Sequence, residues 1–365
     1  MDKQFKIKLY TISPIHIGCD DAYDPTSFVI DETKNKLIEF DPFSFIKSLS
    51  QQDRDEFSKI CSEGKISSIL KIYKFLNNRT HLIKGREVEI ASGLIDNYKQ
   101  VLNLSTNDED KIKENLNKFV INKTAYNPLT NSPYIPGSSI KGALRTAYLT
   151  KLALEKKVKK YSGNPKELEE ELLGGRFSTD PFRLVKVSDF LPAGEVKTKI
   201  VYALNKKKKE SKFNARGVPQ ILETIKKGFA FEGTILIQKP HSKSGIKKPI
   251  NLEELLSSAN NFFSKLMEKE NKILKEIKAV TFEETENKLK SHLGKDMFLL
   301  KIGRHSGAEA VTIEENRKIK IMQKKGQPPN FLDHSTTFWL SSESKNPKDN
   351  SSLTPFSWVV LEKLN

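Results

Sequence analysis

The sequence predicts an α+β fold, in which strand-forming and helix-forming stretches are separate along the chain. Residues 5–13 alternate apolar and polar side chains, which is the two-residue period of a half-buried strand. Residues 41–119 and 252–290 instead place apolar side chains three and four positions apart, as amphipathic helices do. Glycine-containing loops near residues 137 and 303 are a weak sign of a duplicated architecture.

Each predicted element rests on its own local pattern. Pro14 cannot donate to a strand ladder, so it ends the first strand. Pro, Gly, Ser and Asn dominate residues 128–139, which predicts a loop. In chain order we predict a strand at 5–13, a hairpin at 28–40, a helical insertion at about 41–119, a loop at 128–139, a helix at about 139–156, a strand at 183–190, a lysine-rich loop at 205–212, a strand at 229–238, helix at 252–290, and strands at 297–302, 336–340 and 356–361.

The length suits two domains. A chain of 365 residues exceeds the usual size of one domain and can bury a full core. We therefore predict domains at 1–210 and 211–365, with the helical insertion in the first.

The net charge of +16 favours a polyanionic partner, most often nucleic acid, with an anionic membrane surface as the second choice. The excess is concentrated, because residues 151–250 hold 23 Lys and Arg against 11 Asp and Glu, a net charge of +12. A solvated face explains a single run such as 206–209. It does not explain the regional excess, since like charges repel one another.

Several classes of protein are excluded. No apolar run approaches 18 residues, so we expect no membrane span, and residues 1–6 do not resemble a signal peptide. Cys19 and Cys61 form no CxxC motif, which argues against a zinc ribbon and a disulfide scaffold and favours a reducing cytoplasm. HExxH, GxSxG, Walker A and GxGxxG motifs are absent. We expect no catalytic residue, no metal and no cofactor.

The segment Tyr134–Arg145 leads from a loop into a helix and combines features of an anion site. Glycine permits close approach of a ligand, a serine can cap the helix, and the first-turn N–H groups attract anions. Lys141 and Arg145 lie four apart and so share a helical face. An ordinary helix start is the alternative. The candidate residues are Gly137, Ser138, Ser139, Lys141, Gly142 and Arg145.

Two further loops carry candidate residues. Leu300–Val311 runs from a strand into a loop with Gly303, Arg304, His305, Ser306 and Gly307, for which a plain hairpin turn is the alternative. Ser13–Gly18 places His16 and Gly18 after the first strand, where His16 can stack on a base, donate to a phosphate, or act as acid or base. A packing role for His16 is the alternative.

An acidic loop follows the first strand. Asp20, Asp21 and Asp24 can in principle hold Mg²⁺, although a solvated acidic loop is the favoured interpretation.

The motifs in combination resemble a known family. Pro136–Arg145 is similar to the glycine-rich signature of RAMP proteins, the RNA-binding superfamily of CRISPR systems. With Ser13–Gly18, Phe40-Asp41-Pro42, Asp180–Asp189 and Ile302–Glu309 in this order, the chain resembles the terminal, fifth-subunit family of type III-A (Csm) effectors. That family tends to have Gly before a Trp-Val pair, where this chain has Ser357.

The resemblance implies two ferredoxin-like (RRM-like) modules and a non-catalytic role. It implies binding of guide RNA (crRNA), capping of the effector at the guide 3′ end, and a part in 3′-end maturation through host exoribonucleases. The implied partners are other Csm subunits, chiefly the backbone RAMP subunit, and target RNA transiently. The expected RNA-binding residues are His16, Gly18, Gly137, Ser138, Ser139, Lys141, Gly142, Arg145, Arg183, Lys186, Gly303, Arg304, His305, Ser306 and Gly307.

Two other functions remain open from the sequence. One is a RAMP endoribonuclease that processes guide precursors, with His16 as general acid or base. The other is an RNA-binding scaffold outside CRISPR systems.

Overall fold

The structure, a computed structural model, describes residues 2–209, 215, 217–289, 292–321 and 326–364. It confirms the α+β class: two large sheets carry helices. None of the helices in these ranges is long and apolar enough to cross a membrane.

The strands, in chain order, are β1 (Lys3–Thr11), β2 (Gly18–Ala22), β3 (Phe28–Asp31), β4 (Lys36–Glu39), β5 (Arg86–Ile90), β6 (Ile121–Thr124), β7 (Tyr126–Asn127), β8 (Ser132–Pro133), β9 (Val185–Val187), β10 (Leu191–Pro192), β11 (Thr198–Lys207), β12 (Gln220–Ile225), β13 (Ala230–Ile237), β14 (Met297–Lys301), β15 (Ile319–Ile321), β16 (Asn330–Leu332), β17 (Thr337–Ser342), β18 (Thr354–Pro355) and β19 (Trp358–Lys363).

The helices are α1 (Pro42–Ser48), α2 (Gln51–Ser62), α3 (Ile66–Asn77), α4 (Ser92–Leu102), α5 (Glu109–Lys118), α6 (Gly137–Glu155), α7 (Pro165–Leu173), α8 (Leu252–Glu276) and α9 (Glu283–Leu289). Short 3₁₀ turns lie at Thr80–Leu82, Phe177–Thr179, Pro181–Leu184 and Ala308–Val311.

Sheet A has the order β10-β13-β1-β19-β14, and β9 also pairs with β13. All of its pairs are antiparallel, with β1 in the centre. The alternation predicted for the first strand is confirmed, since Ile7 and Leu9 are buried while Lys6 is exposed. Helices α6 and α8 pack with this sheet in one apolar core, which includes Phe231 and Trp358.

Sheet B has the order β2-β6-β12-β11-β5-β4-β3, with β17 on β11 and β18 on β17. The predicted hairpin at 28–40 is confirmed as β3 and β4. Helices α3, α4 and α5 cover one face of the sheet in a second core. Leu274, near the end of α8, belongs to this second core, whereas Phe263 on the same helix belongs to the first. Helix α8 therefore links the two cores.

Strands β11 and β12 are absent from the sequence prediction. Strand β11 is buried on both faces, because Tyr202 packs in the second core and Val201 in a smaller cluster with Phe356. A strand buried on both faces shows no alternation of apolar and polar residues. The predicted lysine-rich loop at 205–212 is therefore partly wrong, since residues 205–207 end β11, while residues 210–212 lie outside the described ranges.

Other boundaries also differ from the prediction. The insertion at 41–119 contains five helices but is not purely helical, because β5 crosses it and pairs with β4 and β11. The helix predicted at 139–156 begins earlier, at Gly137. The strand predicted at 183–190 shortens to β9, because its first residues form a 3₁₀ turn. The helix predicted at 252–290 ends at Glu276, and α9 follows.

Both sheets pair strands that are far apart in the sequence. In sheet A, β1 pairs with β13 and β19, and in sheet B, β11 pairs with β12 and β17. Each sheet thus takes strands from both sides of residue 210. The division into 1–210 and 211–365 stays a prediction.

Ser357 occupies the position at which the resembled family has glycine. Its φ is 83°, a left-handed value that costs a non-glycine residue free energy. Its backbone is well bonded: its N–H donates to the Pro14 carbonyl at 2.9 Å and its carbonyl accepts from Ile302 N–H at 2.8 Å. Its buried hydroxyl has no hydrogen-bond partner among the described residues. The turn therefore requires the backbone conformation and not the serine side chain.

We predict that Ser357→Gly stabilises the protein by about 1 kcal/mol, because relief of the positive φ exceeds the entropy that glycine gains in the unfolded chain. Urea unfolding measures the change. Ser357→Ala is the control, because it removes the unpartnered hydroxyl but keeps the strained backbone. A glycine variant no more stable than Ser357→Ala would contradict the assignment to backbone strain.

Candidate nucleic-acid interface

The three sequence motifs meet at one cleft of about 390 Å³. It lies where α6 begins and where the loops after β1 and β14 come together. The residues that line it are Ile17, Gly18, Asp20, Ser138, Ser139, Gly142, Ala143, Lys301, Ile302, Gly303, Arg304, Ser306, Ala310 and Val311. Segments that are far apart in the sequence thus form one surface, whereas the sequence analysis predicted separate loops.

The loop after β14 rests directly on the loop after β1. Gly303 has a φ of +91°, and a Cβ atom there would lie 2.6 Å from the His16 carbonyl oxygen. The next residue, Arg304, donates its backbone N–H to that same carbonyl at 3.1 Å. Gly303 therefore allows two protein backbones to approach each other, and this packing explains the residue without a ligand.

Gly137 packs against protein in a similar way. A Cβ atom there would lie 2.3 Å from the Val187 carbonyl oxygen, and its N–H donates to Asp189 Oδ1 at 2.8 Å. The amide that we predicted to face a phosphate is therefore occupied by a carboxylate. The predicted serine cap is wrong as well. Pro136 is the N-cap, and Ser138 and Ser139 lie inside the first turn.

Gly142 and Gly18 leave room at the cleft. Gly142 is exposed on α6, and a Cβ atom there would meet nothing within 4 Å. Packing therefore does not require glycine at position 142. Glycine inside a helix also costs about 1 kcal/mol relative to alanine. A Cβ atom at Gly18 would meet Arg304 Cδ at 3.4 Å, an ordinary contact distance, so the Arg304 side chain lies over β2 at this point.

Lys141 and Arg145 hold the scaffold together. Lys141 Nζ donates to the Val185 carbonyl at 2.8 Å, and burial, with the nearby Lys186, lowers its pKa. Arg145 binds Glu169 at 2.7 Å and Asp180 at 2.8 Å. Both side chains thus fasten the segment around residues 180–185 to α6. This arrangement argues against the predicted role of the pair in phosphate binding.

His16 and His305 are buried between the two sheets. Their side chains are 1% and 5% exposed, and their rings lie 5.8 Å apart. His16 Nδ1 forms a hydrogen bond with the Glu223 carbonyl at 2.8 Å, and His305 Nε2 forms one with Gln220 Oε1 at 3.3 Å. Burial lowers the pKa of both imidazoles, that of His305 to about 3, so both are neutral at pH 7. Neither ring faces the solvent, which argues against the predicted contacts with RNA.

The remaining predicted residues differ in their access to solvent. The Arg304 side chain is 52% exposed, with Asp20 at 4.0 Å. Arg183 and Lys186 are exposed, and Ser138 is exposed at the cleft. Ser306 is buried but lines the cleft, and Gly307 has a φ of +87° in the same loop. The groups best placed to meet an anion are therefore Gly18, Ser138, Ser139, Gly142, Arg183, Lys186 and Arg304.

Two carboxylates of the acidic loop bind neighbouring groups of the same loop. Asp24 accepts hydrogen bonds from Thr26, and Asp21 accepts one from Ala22 N–H. Within the described ranges, no three His, Cys, Asp or Glu side chains form a group that could hold a metal ion. The Mg²⁺ alternative for this loop has no geometric support there.

A buried charged group beneath the cleft was not identified from the sequence. The side chain of Lys301 pairs with Glu270 of α8, and Trp358 Nε1 donates to the other Glu270 oxygen at 3.0 Å. All three residues are buried. The available signal was a carboxylate within the apolar stripe of α8, between Met267 and Leu274. This group fixes the end of β14, from which the Arg304 loop begins.

Glu223 forms a second buried group. It is 0% exposed, and its Oε1 accepts from Arg86 at 2.9 Å, Tyr126 at 2.8 Å and Thr198 at 2.7 Å. Its backbone carbonyl contacts His16, as described above. The position of the loop after β1 therefore depends on strands of sheet B.

Comparisons with known proteins agree with these features. The family model of the RAMP superfamily matches residues 8–308. A protein named "CRISPR system Cms protein Csm5" from Methanocaldococcus jannaschii is 26% identical over 98% of this chain and 88% of its own length. A Streptococcus thermophilus protein of the same name is 26% identical over 61% of each chain.

Solved structures share the fold. One is a chain of a cryo-EM Csm-crRNA-target RNA ternary complex of a type III-A system, with a TM-score of 0.60, 19% identity, and coverage of 99% of this chain and 100% of that one. Another is the crystal structure of T. onnurineus Csm5, with a TM-score of 0.57, 18% identity, and coverage of 97% and 99%.

We predict that Arg145→Ala destabilises the protein by roughly 1–2 kcal/mol, because it removes charge-assisted hydrogen bonds from two carboxylates. The dependence of RNA affinity on salt should stay unchanged per folded molecule, because the Arg145 side chain itself contacts no phosphate. Lys186→Ala is the matched control: this exposed cation should leave the melting temperature unchanged and weaken RNA binding. Thermal melting and binding of single-stranded RNA distinguish the two roles. An Arg145 variant of normal stability that binds RNA weakly would restore the phosphate-binding role.

The buried histidines predict a dependence of stability on pH. An unfolded histidine has a pKa near 6.5, whereas folding holds that of His305 at about 3. Between these values only the unfolded chain binds the proton, so the free energy of unfolding falls as pH falls. His305 alone should cost about 2 kcal/mol between pH 7 and pH 5.

Urea unfolding at both pH values tests this. In His305→Phe the loss between pH 7 and pH 5 should be smaller by that amount. Phenylalanine suits the site, because the Trp339 and Phe356 rings lie 5.3 Å from the imidazole. An identical pH dependence in wild type and variant would show that the pKa of His305 is not lowered by folding.

Proposed function

The chain belongs to the RAMP superfamily, and from this premise we propose that it is the non-catalytic, guide-RNA-binding subunit of a type III-A CRISPR (Csm) effector. The relatives named Csm5 support the assignment, one of them over nearly the whole chain. A further support is the shared fold with a chain from a complex that contains crRNA and target RNA.

The observation that carries the proposal is the composition of the cleft. Its walls are mainly glycine backbone, serine hydroxyls and apolar side chains, with Asp20 and the buried Lys301 among them, and Arg304 is exposed at its edge. Backbone and hydroxyl donors with a cation hold phosphates and sugars and do not read bases. A guide-binding subunit has to accept any guide sequence, so contacts of this kind suit it.

We propose that the subunit caps the effector at the guide 3′ end. In this position its neighbours are other Csm subunits, chiefly the backbone RAMP subunit, and target RNA is a transient partner. Trimming of the 3′ end then belongs to host exoribonucleases, which the subunit recruits or admits. Support for this position comes from the resemblance of the motifs to the terminal subunit. Co-purification of the chain with its RNA, followed by sequencing of guide 3′ ends, tests it.

The alternative is an endoribonuclease that uses His16. The burial of His16 and its bond to the Glu223 carbonyl argue against it, because a general base must reach the attacking hydroxyl. Incubation of the purified protein with repeat RNA in the absence of metal decides between the two. A single discrete cut by the wild type that His16→Ala abolishes would favour the endoribonuclease.

We predict tight, sequence-tolerant RNA binding that weakens steeply with salt, because each neutralised phosphate releases counterions. Arg304→Gln should flatten the slope of log affinity against log salt by roughly 0.7, the value for one phosphate contact on a single strand. Fluorescence anisotropy with unrelated single-stranded RNAs at several salt concentrations measures both. Affinities that differ widely among sequences and respond little to salt would contradict the proposal.

Gly142 offers a matched pair of variants for the cleft. Gly142→Glu and Gly142→Gln add side chains of nearly equal size into open space, so both should fold normally. The glutamate should weaken RNA binding far more, because its charge repels the phosphates. Equal and normal binding by both variants would place the RNA elsewhere.

A further inference from the structure

An exposed aromatic ring lies in the basic region 151–250, outside the cleft. Phe177, in the 3₁₀ turn Phe177–Thr179, is 79% exposed. A single exposed apolar side chain is ordinary on a protein surface. The surroundings of the ring therefore decide whether it is a site.

The ring lies among exposed cations. The Arg183 guanidinium is 5.3 Å from the ring centroid, and Arg176 precedes the phenylalanine. A Cβ atom at Gly245 would lie 3.0 Å from Thr179 Cγ2, so the loop that carries the exposed Lys243, Lys247 and Lys248 packs against the same turn. None of these five cations forms an ion pair with a carboxylate in the described part of the chain.

The nearby carboxylates are partly neutralised. Asp180 and Glu169 are both bound to Arg145, at 2.8 Å and 2.7 Å. The half-buried Glu170 and the exposed Glu171 belong to α7, which ends at Leu173 before the turn. Arg183 is therefore the cation beside the ring, while Arg176 and the lysine loop supply further exposed cations on adjoining segments.

The turn is held in place before any ligand arrives. Arg176 N–H donates to Thr179 Oγ1 at 2.9 Å, and Thr179 N–H donates back to the Arg176 carbonyl at 2.9 Å. The bond between Asp180 and Arg145 then ties the turn to α6, the helix that lines the cleft. A ring presented by a rigid turn loses little conformational entropy when it binds a ligand.

We propose that Phe177 is a base-stacking site for single-stranded RNA, with Arg183 and the lysine loop holding the flanking phosphates. An aromatic ring beside cations is how proteins bind single strands without reading sequence, because every base has a π face. This inference rests on the proposed function in taking guide RNA as the ligand, and it extends the RNA surface beyond the cleft.

The test compares Phe177→Ala with Phe43→Ala. Phe43 is 76% exposed, on the helical insertion, so it is a matched exposed ring. With single-stranded oligouridine, Phe177→Ala should weaken binding roughly five- to 150-fold, the usual range for loss of one stacked base. The slope against salt should stay unchanged, since no charge is removed. Phe43→Ala should bind like the wild type, and Phe177→Trp should restore affinity.

An abasic ribose-phosphate strand isolates the stacking. The wild type and Phe177→Ala should bind it equally, because there is no base to stack. Phe177→Leu keeps an apolar side chain without the π face, and its thermal melting should match that of the wild type.

Two results would overturn the inference. One is normal oligouridine binding by Phe177→Ala. If this variant binds RNA normally but no longer binds other protein subunits, the ring is a protein contact. The other is an equal loss on abasic and normal RNA. If the wild-type protein itself binds no RNA, the proposed function fails too, and the two failures are thereby distinguished.

Discussion

The candidate site depends on backbone hydrogen bonds that lock three loops together. The His16 carbonyl accepts from Arg304 N–H, the Pro14 carbonyl accepts from Ser357 N–H, and the Ser357 carbonyl accepts from Ile302 N–H. Buried backbone groups must find partners, and here each loop supplies the partners of another. The close approach requires glycine at 303 and a positive φ at 357. If these loops separated, the cleft would lose its floor and Arg304 its position.

Buried charges fix the elements from which those loops start. Glu270 joins α8 to the end of β14 and the start of β19. The Glu223 carboxylate joins β12 to β5 and β11, and the Glu223 backbone carbonyl then holds His16 in the loop after β1. Burying a charge is costly, and replacement by apolar residues is often no worse for stability. We infer that these groups fix the positions of the strands. Any shift in strand register would leave a buried carboxylate unpaired, which is unfavourable. Helix α8, which packs in both cores, carries the constraint from one sheet to the other.

The proposed function divides the basic and glycine residues into two groups. Gly137, Gly303, Lys141 and Arg145 bind other parts of the protein and shape the site. Gly142, Arg304, Arg183 and Lys186 face the solvent and remain available to a ligand. The surface proposed for RNA is consequently built from backbone, hydroxyls and exposed cations, with Phe177 as an additional stacking site. Such a surface holds a strand firmly and tolerates any sequence.

The sequence by itself determined the α+β class, the first strand, the hairpin at 28–40 and the three motifs that line the cleft, because these depend on local periodicity and on the conformational demands of glycine and proline. Only the tertiary structure showed which motif residues face the solvent. Lys141 and Arg145 share a helical face as predicted, yet that face is covered by the 180–185 segment, a contact that no local pattern encodes. Strands β11 and β12 escaped prediction for a related reason: burial on both faces removes the alternation by which a strand is recognised. Access to solvent and long-range pairing are properties of the packed chain, and they determine which of the candidate residues can contact a ligand.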